Sequence, residues 1–170
     1  MSKGVVVGVV IASAIVAILL AAFVVMPALN ANEYLIFEGA YAEWDYSAVV
    51  LFVQMTGTVR IEIVDMTSTT YTVVMSATGD VPIQSKTETY PIEDSVTAFW
   101  TLGIYQGMEY VYTIYGTKYL KHYVEHDGDT TMDYYVGKDN NWPYKFVMSE
   151  SGFTIPFEIS DTNINWVKNG

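Results

Sequence analysis

The sequence contains no cysteine. This absence excludes disulfide bonds, thiolate zinc sites, cysteine nucleophiles and the lipidated cysteine of a bacterial lipoprotein. Basic residues are also scarce, since 8 lysines and arginines face 19 aspartates and glutamates and give a net charge of -11. Such a chain repels nucleic acid and anionic lipid headgroups, which argues against a phosphate-binding function.

Sequence motifs of catalysis are missing as well. The chain has no G-x-S-x-G, no P-loop, no H-E-x-x-H and no G-x-G-x-x-G. Ser47, Ser76 and Ser85 have no histidine and acid at a recognisable spacing. Glu93 and Asp94 form an acidic pair of the kind used in acid–base chemistry, but acids are frequent enough here for chance pairs. The sequence predicts no catalytic residue and a non-enzymatic protein.

Histidines, which are common metal ligands, are few in this chain. The two histidines, His122 and His126, would lie about 13 Å apart on one face of a strand, too far to share an ion. We expect both to be solvent-exposed near a turn. Residues 127–129 (Asp-Gly-Asp) lack the later ligands of a calcium loop and favour a plain turn, with weak divalent binding beside Glu125 and Asp133 as the alternative. No metal ligand or cofactor site is predicted, and ligand-binding residues stay unassigned.

The longest apolar run covers residues 4–26, which carry no charge and include only Ser13 as a polar residue. As a helix this run would be about 35 Å long, enough to cross the hydrocarbon core of a bilayer, about 30 Å thick. The sequence therefore predicts a transmembrane anchor over residues 1–29, in contact with the lipid bilayer through residues 4–26. A linker at residues 30–33 and one domain over residues 34–170 would follow.

Charges that flank the apolar run predict its orientation. Lys3 precedes the run, whereas Glu33, Glu38 and Glu43 follow it. The positive-inside rule then places the N-terminus in the cytoplasm and the domain in the extracellular or periplasmic space. Three fates of the run remain open: an uncleaved signal anchor, a signal peptide cleaved near residues 29–31, or a leader cleaved after Gly4. The last resembles the basic-glycine cleavage site of archaeal pilins and flagellins.

The acidic domain is rich in valine, isoleucine, threonine and aromatic residues, with turn signals at short intervals. This pattern predicts a mainly β fold, an antiparallel meander closed as a half-barrel or a β-sandwich. In residues 58–64, Val59, Ile61 and Ile63 should share one face, and a turn is expected at Thr56–Gly57. Residues 93–102 fit either a strand or a short helix. The expected strands cover residues 58–64, 70–77, 109–115, 118–124, 130–136, 144–148 and 153–159.

Tyrosines are unusually frequent, with 14 in the chain. Tyr110, Tyr112, Tyr115, Tyr119 and Tyr123 follow one another so densely that we expect both faces of the sheet to carry them. Three interpretations remain: a curved sheet with a tyrosine-rich outer face, a sheet that binds an apolar or aromatic ligand, or cross-strand pairs that stabilise the sheet.

Residues 115–165 repeat a strand–turn pattern that includes Pro143-Tyr144-Lys145 and ends in Thr162-Asn163. This pattern resembles the LolA/LppX-like lipoprotein-carrier superfamily of prokaryotic surface proteins. The resemblance implies an antiparallel half-barrel over helices, with an apolar concave face that holds acyl chains. The chain departs from that family because it has no lipobox cysteine and little of the helical lid.

Taken together, these features predict a membrane-anchored extracytoplasmic β-domain of prokaryotic type. It would bind an apolar ligand or an envelope protein without catalysing a reaction. The alternative is an archaeal pilin-like filament subunit that assembles through the apolar helix.

Overall fold

The computed structural model describes residues 37–50, 52–80, 85–91, 103–139, 142–150 and 152–169. This part of the chain is mainly β, as the sequence predicted, with nine strands and one short helix. The elements are β1 Tyr41–Val50, β2 Val53–Met66, β3 Thr70–Gly79, β4 Lys86–Pro91, β5 Ile104–Thr113, β6 Gly116–Asp127, β7 Thr130–Gly137, β8 Pro143–Glu150, β9 Phe153–Thr162 and α1 Asn165–Asn169.

All nine strands belong to one sheet, in the order β4-β3-β2-β1-β9-β8-β7-β6-β5. Every neighbouring pair is antiparallel. Strands β1–β4 form one meander and β5–β9 another, and the pairing of β1 with β9 joins them at the centre. The predicted antiparallel meander is therefore confirmed. Among the described residues, β4 and β5 are the two edges.

The antiparallel order divides the turns between two ends of the sheet. We call the end where β1 begins the proximal end and the end where β1 finishes the distal end. The β5–β6 turn and α1 lie at the proximal end, whereas the β1–β2, β6–β7 and β8–β9 turns lie at the distal end. Any segment that precedes β1 therefore joins the sheet at its proximal end.

The core lies on one face of the sheet and is rich in aromatic residues. Phe146 and Phe157 stack at 4.5 Å between ring centroids, and the Trp44 indole N–H donates to the carbonyl of Pro143 at 3.0 Å. Helix α1 covers this face at the proximal end, where the Tyr144 hydroxyl donates to the Val167 carbonyl at 2.8 Å. Each fully buried aromatic side chain stabilises the fold by about 1.5–3 kcal/mol. The largest fully buried side chains are Trp44, Trp142, Tyr71, Tyr134, Tyr144, Phe146, Phe157, Ile61 and Ile63.

Strand β2 confirms one predicted pattern and corrects another. Val59, Ile61 and Ile63 are buried on the core face, as expected. The turn predicted at Thr56–Gly57 is wrong, because both residues lie within β2. A Cβ atom on Gly57 would overlap the backbone carbonyl oxygen of Thr78 and the ring of Tyr46. The glycine therefore permits close approach within the sheet rather than a change of direction.

Other boundaries also differ from the predicted ones. Strands β1 and β4 were not predicted, and β5 begins at Ile104 and ends at Thr113 instead of covering residues 109–115. The predicted anchor at residues 4–26 and the ambiguous segment at residues 93–102 lie outside the described residues. Within the described ranges, no helix is long and apolar enough to span a membrane.

Thr162 and Asn163 fasten the end of β9 to the start of β1. The Asn163 side chain accepts a hydrogen bond from the Tyr41 amide at 2.9 Å and donates one to the Gly39 carbonyl at 2.8 Å. The Thr162 hydroxyl donates to the Tyr41 carbonyl. These residues, which carried part of the family resemblance, satisfy backbone groups at the centre of the sheet.

Candidate functional site

The β1–β2 turn displays apolar side chains at the distal end of the sheet. Val50 pairs with Val53, so two residues connect the strands. Val49, Phe52 and Val53 form what we call the apolar tip, with 64%, 101% and 61% of their surfaces exposed. Three large apolar side chains that stay mostly exposed side by side are a feature of interaction sites.

The backbone of Phe52 is in the left-handed region, with a φ of 68°. Two-residue hairpin turns require such angles and favour glycine or asparagine there. A bulky residue in this conformation costs about 1–2 kcal/mol. Phe52 therefore carries a backbone cost while exposing its ring to solvent, and local stability does not explain its presence.

A second exposed surface covers the β5–β6 hairpin, and its five members share one side of that hairpin. Tyr110 packs on Tyr119 with ring centroids 4.6 Å apart, and Tyr105 packs on Tyr123 at 5.4 Å. Tyr110 and Tyr112 are 77% and 81% exposed. We call this set the tyrosine surface, and it consists of the exposed Tyr105, Tyr110, Tyr112 and Tyr119 and the half-buried Tyr123.

The expectation that both sheet faces carry this tyrosine group is wrong for its four members within β5 and β6, which share one side. Directly paired residues of antiparallel strands point to the same side, and residues two apart along a strand do so as well. Tyr110, Tyr112, Tyr119 and Tyr123 therefore lie together. Tyr115 differs because it belongs to the β5–β6 turn, where burial and the nearby charge of Asp161 raise its pKa.

The opposite side of the same hairpin is packed against the protein. Val111, Thr113 and Leu120 are buried there. The Lys118 ammonium donates to the Lys168 carbonyl at 3.2 Å and lies 5.9 Å from the centre of the Tyr144 ring. Burial lowers the pKa of Lys118. The hairpin thus holds its tyrosine surface outward.

His122 joins the last three strands of the sheet. Its Nδ1 lies 2.9 Å from a Glu109 oxygen on β5, its Nε2 lies 2.8 Å from an Asp133 oxygen on β7, and its ring stacks on Tyr135 at 4.5 Å. Both contacts are hydrogen bonds only when the ring carries two N–H groups. The side chain of His122 is 13% exposed, so the predicted exposure is wrong for this residue and confirmed for His126.

A small cavity of about 160 Å³ lies beside the β5–β6 turn. The Lys145–Glu158 ion pair, 2.6 Å between Nζ and Oε1, forms part of its wall. The Ser160 hydroxyl is buried without a hydrogen-bond partner in the described part of the chain. Ligand pockets for drug-sized molecules occupy about 300–1,000 Å³, so this cavity is too small for an acyl chain. It is lined by Asp45, Tyr112, Thr113, Ile114, Tyr144, Lys145, Glu158, Ile159 and Ser160.

Arg60, the one arginine of the sequence, organises the polar face of β1, β2 and β9. Its guanidinium contacts Glu43 at 2.7 Å and Glu62 at 3.0 Å and lies 3.8 Å from the centre of the Tyr41 ring. The Tyr41 hydroxyl donates to Asp161 at 2.7 Å. That hydrogen bond holds the pKa of Asp161 below its usual value. Every charge in this cluster has a partner, which is typical of a structural network.

Acidic residues do not converge on a metal site in the described ranges, where no three His, Asp or Glu side chains are placed to hold an ion. Two of the acids proposed from sequence for weak cation binding are otherwise engaged, since Asp133 contacts His122 and Glu125 accepts from the Tyr134 hydroxyl at 3.3 Å. Sequence reasoning missed the apolar tip, because residues 48–53 are as apolar as a buried strand.

No protein-family model and no curated protein matches this chain.

Proposed function

We propose that this chain is a membrane-anchored, extracytoplasmic β-domain that binds an envelope protein through the apolar tip and catalyses no reaction. The observation that carries the proposal is Phe52, which is fully exposed in a left-handed conformation. Backbone strain of this kind persists where it serves a function. A protein partner with an apolar recess would bury this side chain and repay its cost.

The position of the tip supports this assignment. It lies at the distal end, whereas the predicted anchor precedes β1 and joins the proximal end. Strand β1 has 10 residues. At about 3.3 Å per residue it separates the two ends by roughly 33 Å. If residues 4–26 cross the bilayer, the tip is held away from that bilayer and is presented to another molecule.

A half-barrel shape is supported by the connection between the two edges. Residues 92–103 are the 12 residues that link β4 to β5. Eight interstrand steps in a flat sheet would separate these edges by about 38 Å. A segment of this length spans about 45 Å at most. Curvature of the sheet brings the edges closer and removes the need for a nearly extended link.

An envelope protein is a better candidate than an apolar ligand held within the sheet. Trp44, Phe146 and Phe157 pack against one another on the core face, so that part of the face is filled by the protein's own side chains. The cavity beside the β5–β6 turn is also small, at about 160 Å³. Lipid carriage, as implied by the family resemblance, is therefore the weaker version of the proposal.

A photo-crosslinking residue in place of Phe52, in the full chain in its own cell envelope, tests the proposal. We expect one discrete protein adduct at position 52 and none at position 64, where Val64 is also exposed. A lipid adduct at position 52 would favour the apolar-ligand version. Equal labelling at both positions, or no adduct, would count against binding through the tip.

Phe52→Gly provides a second measurement on the same residue. Glycine adopts the left-handed conformation without strain, so the unfolding free energy should stay equal or rise by up to about 1 kcal/mol. Capture of the crosslinked protein by the purified chain should fall at least tenfold. A variant that is less stable and still captures the partner would show that Phe52 serves the fold instead.

The second candidate is a pilin-like filament subunit, favoured by Lys3-Gly4 directly before the apolar run. Cleavage there would free a helix able to pack with other copies. N-terminal sequencing of the mature protein separates the two functions. A start at Val5 supports the filament, whereas a retained Met1 or Ser2 supports the anchored domain.

A further inference from the structure

The two edges of the sheet are built differently. Strand β4 is short, ends in Pro91, and carries the Lys86–Glu88 ion pair. Short length, charge and proline are the usual protection of an edge against pairing with another chain. Strand β5 has 10 residues, contains Glu109 as its one charge and has no proline. Among the described strands, β5 is therefore the edge open to a further strand.

The β5–β6 hairpin also differs in charge from the rest of the chain. Residues 104–124 contain Glu109, Lys118 and Lys121, which sum to +1 in a chain of net charge -11. Glu109 is in turn paired with His122. Two copies carry a large like charge and repel each other, but the charge of the hairpin does not add to that repulsion.

We infer that two copies of this chain associate through β5, as an antiparallel pair with Val111 on the two-fold axis. In this register Tyr110 of one copy lies opposite Tyr112 of the other. Each copy already pairs Tyr110 with Tyr119 across β5 and β6. The tyrosine surface would then continue across the interface, and cross-strand aromatic pairs stabilise a sheet by about 0.2–1 kcal/mol each. A two-fold axis makes the contact self-limiting.

Neighbouring registers are less favourable for reasons of charge and overlap. A pair centred on Glu109 places two carboxylates directly opposite each other. A pair centred on Tyr110 places the charged Glu109 of one copy opposite the apolar Val111 of the other. A pair centred on Tyr112 overlaps only over residues 110–114. With Val111 on the axis, the two Glu109 residues are four positions apart along the strands, about 13 Å, which exceeds the screening length of about 8 Å at physiological salt.

This contact uses a different surface from the apolar tip, so it goes beyond the proposed function. The tip is at the distal end of the central strand, whereas residues 108–114 lie on an edge toward the proximal end. Binding of an envelope protein through Phe52 and pairing through β5 can therefore succeed or fail independently. Because the paired β5 strands run antiparallel, the two tips would lie at opposite ends of the dimer and would not face one partner surface together.

Single cysteines test the register, since the chain has none of its own. Tyr110→Cys and Tyr112→Cys are prepared as full chains in detergent, mixed, and oxidised under mild conditions. Opposed strand residues have Cα atoms about 4.5–5.5 Å apart, within the range of a disulfide, whereas diagonal neighbours are about 7–8 Å apart. Mixed disulfides should therefore exceed each like pair at least fivefold. Tyr119→Cys, on the inner strand of the hairpin, is the matched control.

Other results would contradict the register or the pairing itself. Equal reactivity of like and unlike pairs, or crosslinks through Tyr119→Cys as strong as those at Tyr110→Cys, would overturn the register. Absence of any crosslink in chains that retain native circular dichroism would overturn the pairing itself. Tyr110→Lys should convert the dimer to a monomer in light scattering and lower the unfolding free energy by no more than about 1 kcal/mol, the value of the lost Tyr110–Tyr119 contact. A persistent dimer in that variant would also contradict the inference.

Discussion

Gly57 occupies a strand position that depends on the absence of a side chain. Its neighbours are the carbonyl oxygen of Thr78 on β3 and the ring of Tyr46 on β1. The three strands approach each other closely at this point of the central sheet. The turn predicted here rested on residue type alone. It is wrong because Gly57 lies within β2, where its lack of a side chain permits the strands to approach closely.

Gly57→Ala should destabilise the protein by about 2 kcal/mol or more, because the new methyl group must displace backbone or a buried ring. Urea unfolding followed by circular dichroism measures the change. Gly128→Asn is the control, since Gly128 has a φ of 59° and open space around it. Asparagine tolerates that conformation, so the control should change stability by less than about 0.5 kcal/mol. Equal effects of the two substitutions would contradict the close-approach explanation.

The Tyr41–Asp161 hydrogen bond gives a prediction on pH. Because the folded-state pKa of Asp161 is depressed, this bond stabilises the fold above the ordinary carboxyl pKa, and the contribution is lost as the pH falls through the folded value. Tyr41→Phe keeps the ring beneath Arg60 and removes the bond. We expect a small loss of unfolding free energy at neutral pH that vanishes in strong acid. Carboxyl NMR titration should show the pKa of Asp161 rising in the variant.

At the scale of elements, His122 adds side-chain contacts to the backbone ladders that join β5, β6 and β7. His122 contacts Glu109 on β5 at 2.9 Å and Asp133 on β7 at 2.8 Å. Buried polar groups that lose their partners cost about 1–3 kcal/mol. The edge strand should therefore respond to a change at this residue before the central strands do.

His122→Ala should increase amide hydrogen exchange in residues 107–111 of β5 by at least tenfold and leave β1 and β2 unchanged. Local opening of an edge needs less free energy than global unfolding, so exchange resolves the two. His126→Ala is the matched control, because His126 is exposed and contacts only Thr131 in the described chain, at 3.0 Å. Uniform acceleration across the whole sheet would indicate that His122 supports the core instead.

Much of the meander could be predicted from sequence, and the errors have physical causes. Alternation in residues 58–64 and the turns at residues 127–129 and near 151 indicated β2, β6, β7, β8 and β9 correctly. Strand β4 escaped notice because threonine, glutamate and lysine fit a loop as well as an edge. Pairing of β1 with β9 could not be predicted, because no local sequence pattern indicates which strands far apart in the chain will pair. The apolar tip was missed because periodicity does not distinguish exposed from buried apolar runs.

At the scale of the whole molecule, β9 unites two meanders that are otherwise separate. Phe157 on β9 is fully buried between Phe146 on β8 and Tyr46 on β1. Removal of a buried phenylalanine costs about 3–5 kcal/mol. Total stability of a domain is about 5–15 kcal/mol, so one such change threatens the fold.

Phe157→Ala should lower the unfolding free energy by about 4 kcal/mol and weaken both meanders together. Far-ultraviolet circular dichroism and tryptophan fluorescence should report one coincident transition at a lower urea concentration. Phe52→Ala removes the same side chain from the exposed tip and should have an effect below about 0.5 kcal/mol. Two separate transitions in the Phe157 variant would show that the meanders fold independently.

The central position of β1 has a mechanical consequence. Tension on any segment that precedes Tyr41 is applied to a strand held by β2 on one side and β9 on the other. Detaching such a strand requires both ladders to break, whereas an edge strand could be peeled away one hydrogen bond at a time. A domain tethered through β1 would therefore bear pulling forces at a strand that is paired on both sides and keep its two edges unloaded.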